Sequence, residues 1–469
     1  MAIESKDKIL EYPEVLDKLA AKSAAPFQHP QLLIDRYLRV LGLSHELFRI
    51  QEGLGFYPLN LSHESLNKAG QKDGKLLSPY TLVRWRRVGW PFPGEKLQGV
   101  DYFEDSATRK IVESMVERMG DAIEYANRER LLGARLIEHT IKPQIYAWET
   151  GQFEKAMFEH INMRNLSNPV LLASLFDRYI DPWGIKYASQ GWVLNRDDAL
   201  TGYYNLILKT SLKGTREEEK HRVVVGEAAA FSGLPVRRGG WSGNTLPSED
   251  NLRREIGSTS YVFYNVLIQK FENLIKPNLL KYIPEVTQFN KWEYKARKAA
   301  IIDLILHEGY GHSQVPFDET MSDALQGDYV SIKEFASEIL THMAALGLPA
   351  KLVDPEVKKI LISVSLAWLR ADYENYLAET NESRKKPNEA YARAYRFVEG
   401  LYLKGGNIRV NADNGTIEVG DLDDISSSAR EFVEGLKRAV NLEKTKTNTV
   451  RDFVRQYTGD PDNCLAQAS

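Results

Sequence analysis

The chain has 469 residues, with 61 Lys and Arg against 64 Asp and Glu, for a formal net charge of −3. Charges this nearly balanced exclude the basic footprint of a nucleic-acid binder and attraction to an acidic membrane surface. The content of 43% hydrophobic and 27% charged residues is that of an ordinary globular protein with core enough for two or three domains. The single cysteine, Cys464, rules out an intrachain disulfide framework and a cysteine-ligated zinc site. The first residues are charged and hold no apolar signal core, and no run reaches the ~18 apolar residues of a membrane span, so a cytoplasmic location is expected.

Taken in order, residues 1–50 read as helical, broken at Pro26 and Pro30. Gly and Pro punctuate residues 53–94 densely enough to exclude a long helix there. Asp105 and Ser106, good N-cap types, open an amphipathic helix with Ile111, Met115, Met119, Ile123 and Ala126 mostly four apart. That stripe reads as core, and the periodicity continues to about Gln152. Residues 177–184 read as a polar-aromatic turn between helical segments, and the charge run 216–220 as a solvated helix face. Residues 234–253 are a Gly- and Pro-rich loop of the kind that carries binding groups.

The most informative stretch is His307-Glu308-Gly309-Tyr310-Gly311-His312, which follows the apolar helical run 299–306. Neutral imidazole is a good zinc ligand, and a glutamate beside the first one can take a proton from a water that the metal activates. Helix positions i and i+5 are roughly 140° apart, so both imidazoles reach one ion only if the helix takes in an extra residue as a π-bulge. Gly309 and Gly311 flank that place and tolerate unusual backbone angles. Beyond it, Pro316 breaks the helix, Asp318 can cap a new one, and helices dominate to about Lys404. Residues 408–410 and 417–419 alternate around Asn414-Gly415 as a hairpin. The stretch from Asn441 is polar.

A catalytic zinc usually takes three protein ligands and leaves one position open. With cysteine unavailable, Glu319 leads on sequence proximity, against Asp318, Asp323, Glu334, Glu338 and His342.

These residues carry a resemblance to the dipeptidyl peptidase III family, whose metal motif is H-E-x-x-G-H. The family's second motif, E-E-x-x-A-E/D, is similar to Asp318-Glu319-Thr320-Met321-Ser322-Asp323, with Glu319 in the ligand place. Further similar blocks are Gly55-Phe56-Tyr57-Pro58, Ser78-Pro79-Tyr80-Thr81, residues 177–184 followed by Gln190-Gly191-Trp192, and residues 246–253 followed by Gly257 and Asn265. Together they cover residues 50 to 425.

The resemblance implies a mostly α fold with a smaller β component (α+β), in two lobes around a cleft. It implies a substrate-side lobe of residues 1–200 and 231–275 containing a small β-barrel, a helical zinc-bearing lobe of residues 201–230 and 276–440, and a polar tail at 441–469. It implies Zn2+ on His307, His312 and Glu319, with Asp318 and Asp323 orienting the imidazoles. Glu308 would be general base and Tyr179 would steady the oxyanion. Asp177, Asn244, Thr245, Ser248 and Tyr391 would face the substrate.

The chain also departs from the family. Thr245 and Ser248 stand where the family holds a peptide N-terminus with two Asn, and Met321 replaces a basic residue. The insert between the two metal motifs is missing, and Tyr391 and Arg393 lie where a family His is expected. The leading expectation is therefore a zinc metallopeptidase removing dipeptides from short peptides. The rivals are a zinc enzyme of the same scaffold acting on a small non-peptide metabolite as hydrolase, lyase or isomerase, and a silent peptide-binding protein. A peptide or small-molecule substrate is expected, with no nucleic acid and no membrane; oligomeric state is left open.

Overall fold

A computed structural model describes residues 30–54, 63–78, 80–89, 94–129, 134–153, 155–156, 170–181, 184–215, 217–237, 242–247, 250–317, 321, 324–325, 328–380 and 382–458. The fold is α+β in two lobes, each with its own apolar core.

The first core gathers helices α1 (Pro30–Leu54), α3 (Ser106–Arg128) and α4 (Ala134–Thr150). A small helix, α2 (His63–Gly70), and a hairpin of β1 (Thr81–Val88) and β2 (Gly94–Asp101) complete its rim. The expected amphipathic helix is present from Ser106. Asp105 caps it by accepting from the amides of Ala107 and Thr108, while Met115 and Met119 are fully buried.

Residues 177–181 and 184, expected in a turn between helices, lie instead on two long antiparallel strands, β3 (Val170–Asp181) and β4 (Gly184–Arg196), while 182–183 lie outside the described residues. The Ser78–Thr81 block is tied to this pair of strands by the buried Lys186. Its ammonium donates to the carbonyl of Ser78 (2.8 Å) and to Thr81 Oγ1 (3.2 Å).

Helix α5 (Asp198–Leu212) leads to β5 (His221–Gly233), then β6 (Gly243–Leu246), α6 (Asp250–Ile256) and β7 (Ser258–Phe263). The sheet order is β3-β4-β5-β7-β6, antiparallel throughout except for the parallel β5/β7 pair. This sheet is open, so the small barrel expected from the family resemblance is corrected to a five-stranded mixed sheet with β6 at one edge. Closure depends on strand pairings distant in sequence, which local pattern does not carry.

The sheet forms the wall between the lobes. Along it Val223, Val225 and Val262 face the helical core, while Val224, Tyr261 and Phe263 face the other. Burial on both faces explains why Val223, Val224 and Val225 follow one another without alternation.

The helical lobe follows: α7 (Tyr264–Lys270), α8 (Lys276–Tyr282), α9 (Trp292–Leu306), α10 (Tyr329–Gly347), α11 (Pro355–Ala378) and α12 (Glu382–Lys404). The expected hairpin is β8 (Ile408–Val410) with β9 (Ile417–Val419), turned at Gly415 with φ +70°. Helix α13 (Leu422–Glu443) closes the lobe.

The stretch taken as a polar tail contains a docked helix, α14 (Thr449–Thr458). Its Val450 and Val454 are fully buried, and Phe453 and Tyr457 pack on Phe432. Arg451 of α14 and Arg393 of α12 both grip Asp328, at 2.9 and 3.0 Å, immediately before α10. Arg393 thus anchors the start of the helix that completes the site. Among the described residues no helix is long and apolar enough to cross a membrane.

Candidate metal centre

Helix α9 runs into a five-residue π turn, His307–Gly311, in which the amide of His312 donates to the carbonyl of His307. The extra residue demanded by the i, i+5 spacing is therefore taken in, and the two imidazoles converge. Their ring centroids lie 4.7 Å apart with planes at 82°.

The glycines serve a different purpose from the one the sequence suggested. Gly311 has ordinary helical angles, φ −50° and ψ −64°. A Cβ there would stand 2.5 Å from the carbonyl oxygen of Ser337 and 2.8 Å from Thr341 Oγ1. Glycine is required because α10 crosses in contact with the turn.

Helix α10 supplies the third donor. Glu334 Oε2 lies 3.3 Å from His307 Nε2 and 3.8 Å from His312 Nε2. Ligand atoms held at about 2.0–2.2 Å from a tetrahedral ion stand roughly 3.4 Å from one another. Both distances are close to that value, so Glu334 could join His307 and His312 in holding a zinc-sized divalent cation; the three side chains whose donor atoms all lie within 4.8 Å of one another are His307, Glu308 and His312. Glu308 has a carboxylate oxygen within 4.8 Å of both imidazoles, close enough to address a water at the same centre.

The far side of each ring is also held. His307 Nδ1 donates to Glu338 Oε2 at 2.9 Å, and His312 Nδ1 meets Ser337 Oγ at 3.0 Å. Such contacts set the tautomer and aim Nε2 at the cation.

Beneath Glu338 lies a buried polar chain. Ser365 Oγ donates to Glu338 Oε1, and His342 Nε2 reaches Ser365 Oγ at 2.8 Å and Glu338 Oε1 at 3.3 Å. The Tyr402 hydroxyl meets His342 Nδ1 at 2.6 Å. Burial alone would raise the Glu338 carboxyl, but hydrogen bonds from His307 and His342 outweigh it and hold the group well below the usual carboxylate range. Asp303, one helical turn before His307, is treated oppositely. Burial and then the charge of Glu338 push its carboxyl well above the ordinary range.

The two imidazoles differ in how readily each takes a proton. Burial disfavours a proton on His307, but Glu334 and Glu338 outweigh this and hold it well above its ordinary range. His312 is held well below, by burial first and then by the positive charges of His307, Lys333 and Arg253.

The remaining expected site residues divide into three groups. Glu319, Asp318, Asp323 and Ser248 lie outside the described residues, and Asp177 and Tyr179 are described only as backbone in β3, opposite Ala188 and Lys186. Asn244 and Thr245 lie on the edge strand β6; the Thr245 hydroxyl is buried against Ser260 Oγ at 2.8 Å. Tyr391 is exposed on α12.

Glu334, ranked behind Glu319 in the sequence, is a described carboxylate brought, like that of Glu308, to both imidazoles. The signal for it was present: Lys333-Glu334-Phe335-Ala336-Ser337-Glu338 also has acids at the second and sixth places of E-E-x-x-A-E/D. The charge run at 216–220 is corrected too. Glu217 begins a turn rather than a helix and bonds His221 Nε2 at 3.2 Å.

No protein-family model and no curated protein matches the chain. Among solved structures it is similar to dipeptidyl peptidase III from Caldithrix abyssi, with a TM-score of 0.66 and 15% identity over 94% of this chain and 93% of that one. It is also similar to dipeptidyl-peptidase III from Corallococcus sp. strain EGB, with a TM-score of 0.64 and 17% identity over 88% of this chain and 76% of the other. The chain has the dipeptidyl peptidase III fold.

Proposed function

We propose that this chain is a zinc-dependent peptidase that removes short N-terminal fragments, dipeptides by analogy with its structural neighbours, from oligopeptides. The observation that carries the reading is the placement of Glu334 against both imidazole Nε2 atoms, with Glu308 beside them. His307, His312 and Glu334 would hold the ion, which supplies Lewis acidity toward a carbonyl and a water. Glu308 accepts the proton of the attacking water and returns it to the leaving amine. Glu338 and Ser337 keep the imidazoles aimed while charge shifts at the centre.

The edge strand β6 lies against the helix that leads into the metal turn, its Gly243 packing on Leu304. An extended peptide adds to such an edge through its main chain, which would set the scissile bond beside Glu308. Tyr179 and Asp177 lie on β3, at the opposite edge of this sheet from β6; that Tyr179 steadies the oxyanion and Asp177 meets the substrate amine is proposed from the family resemblance.

One observation favours the second reading, a zinc enzyme acting on a small non-peptide metabolite. Thr245 occupies a place where the related family grips the peptide amine, and its hydroxyl is already engaged within the sheet.

Mass spectrometry of a mixed peptide pool, incubated with zinc-loaded protein or its Glu308→Ala variant, separates the readings. Dipeptides released by the wild type alone support the proposal, and fragments of another length keep the peptidase but revise its anchoring. A silent pool with zinc bound turns the assignment to the small-molecule reading.

A further inference from the structure

Glu338 meets His307 Nδ1 through Oε2, at 2.9 Å, and its other oxygen, Oε1, ends a chain of hydrogen bonds that the proposed reaction does not use. The chain runs from Glu338 on α10 to Ser365 on α11, back to His342 on α10 and out to Tyr402 on α12. All four side chains are buried, so each hydrogen in the chain needs an acceptor within it.

The supply of hydrogens gives the chain one direction. A phenol and a serine hydroxyl carry one each, and a neutral imidazole carries one on either of its two nitrogens. The Tyr402 hydroxyl has one hydrogen-bond partner among the described residues, His342 Nδ1, at 2.6 Å. Its hydrogen therefore goes to a bare Nδ1, and the imidazole hydrogen lies on Nε2. That nitrogen faces Ser365 Oγ at 2.8 Å and Glu338 Oε1 at 3.3 Å, while Ser365 gives its own hydrogen to Glu338 Oε1. The opposite tautomer would set donor against donor at Tyr402. It would also make a bare Nε2 compete with the carboxylate for the hydrogen of Ser365.

We propose that His342 is a positioning residue for the metal ligand His307, acting through Glu338, with Tyr402 fixing its tautomer. Every link donates toward Glu338 Oε1, which holds the carboxylate in place and leaves Oε2 to take the hydrogen of His307 Nδ1. His307 Nε2 then presents its lone pair to the ion. The inference rests on the proposed metal centre and not on the identity of the substrate. It also gives His342, a rival for the ion on sequence, its own place, since both of its nitrogens are engaged inside the helical lobe.

Two measurements test this without turnover. In protein carrying isotope-labelled histidine, long-range nitrogen–proton correlation spectra should show His342, assigned by its loss in His342→Gln, with hydrogen on Nε2 and none on Nδ1. Zinc competition against a chromophoric chelator then reads the aim of His307. An Asn amide stands near the place of Nδ1 and a Gln amide near that of Nε2. His342→Asn should therefore bind zinc about 10-fold more weakly, the lower end of what an outer partner of a ligand contributes, and His342→Gln should keep most of the affinity. Val398→Ala, a truncation at a fully buried site one turn from Tyr402 on α12, controls for lost packing. It should lower the urea midpoint and leave zinc affinity unchanged.

Hydrogen on His342 Nδ1 in the wild type overturns the proposal, whether or not the variants fold. So does a folded His342→Asn protein with wild-type zinc affinity, an equal loss of affinity in Val398→Ala, or a wild type that binds no zinc. The peptide pool judges the peptidase separately. Cleavage by the wild type, with zinc affinity unmoved in His342→Asn, sinks the positioning role and leaves the peptidase. Weaker zinc binding in His342→Asn with a silent pool does the reverse.

Discussion

Gly311→Ala probes the packing that assembles the metal centre. The new methyl group would stand 2.5 Å from the carbonyl oxygen of Ser337, a backbone atom, and 2.8 Å from Thr341 Oγ1. Ordinary contact needs roughly 0.5–1 Å more, and neither the π turn nor α10 has slack, since Ser337 and Thr341 are fully buried. Helix α10 must move as a body. It carries Glu334, Ser337 and Glu338, which face the two imidazoles.

Overpacking of this kind costs about 1–3 kcal/mol. Disturbing partners that orient ligands lowers metal affinity about 10- to 100-fold. Gly309→Ala is the internal control, because its methyl would meet the end of Leu208, at 2.8 Å, rather than backbone; it should cost less on both measures. Urea unfolding of the metal-free proteins and zinc competition against a chromophoric chelator give the two numbers. Gly311→Ala within about 0.5 kcal/mol of wild type, with unchanged zinc affinity, would refute the argument.

Other substitutions test the same physics at different points. Glu334→Gln keeps the shape but removes the anionic donor, and zinc should bind more weakly by more than the roughly 10- to 100-fold that loss of an outer partner costs; competition titration reads it. Ser365→Ala removes a donor to the buried Glu338, so stability should fall by about 1–3 kcal/mol, seen as a lower urea midpoint. Asp372 is held up to about 6 by burial, against an ordinary value of 3.8. The folded state therefore keeps a proton that the unfolded chain has released between those pH values, so the group removes stability as pH rises through that window. Asp372→Asn should flatten that slope and stabilise the protein above pH 6 by about 1–2 kcal/mol, allowing for partial solvation. Unfolding measured at pH 4 and pH 7 checks the sign.

The residues that could be read directly were those whose chemistry is local. The i, i+5 spacing of His307 and His312 required a distorted helix turn, and the π turn supplies it. Asp105 announced its helix, and Asn414-Gly415 its hairpin. What escaped the sequence depends on packing between distant segments.

Glu334 looked like one carboxylate among many on a helix; only the crossing of α10 over Gly311 brings it to the imidazoles. The nearer acids at 319 and 323 offered the same motif at shorter range. The polar composition after Asn441 concealed the stripe of Val450, Phe453, Val454 and Tyr457 that docks α14. Gly311 was marked correctly, but its reason is a neighbour remote in sequence rather than its own backbone angles.

The most direct test of the metal centre is anomalous diffraction at the zinc edge from crystals soaked in zinc. A single peak about 2.0–2.2 Å from His307 Nε2, His312 Nε2 and a Glu334 oxygen, with Glu308 near but not ligating, is the predicted result. A peak ligated by Glu308 or Glu319 in place of Glu334, or seated among Asp303, Glu338 and His342 instead, would contradict it.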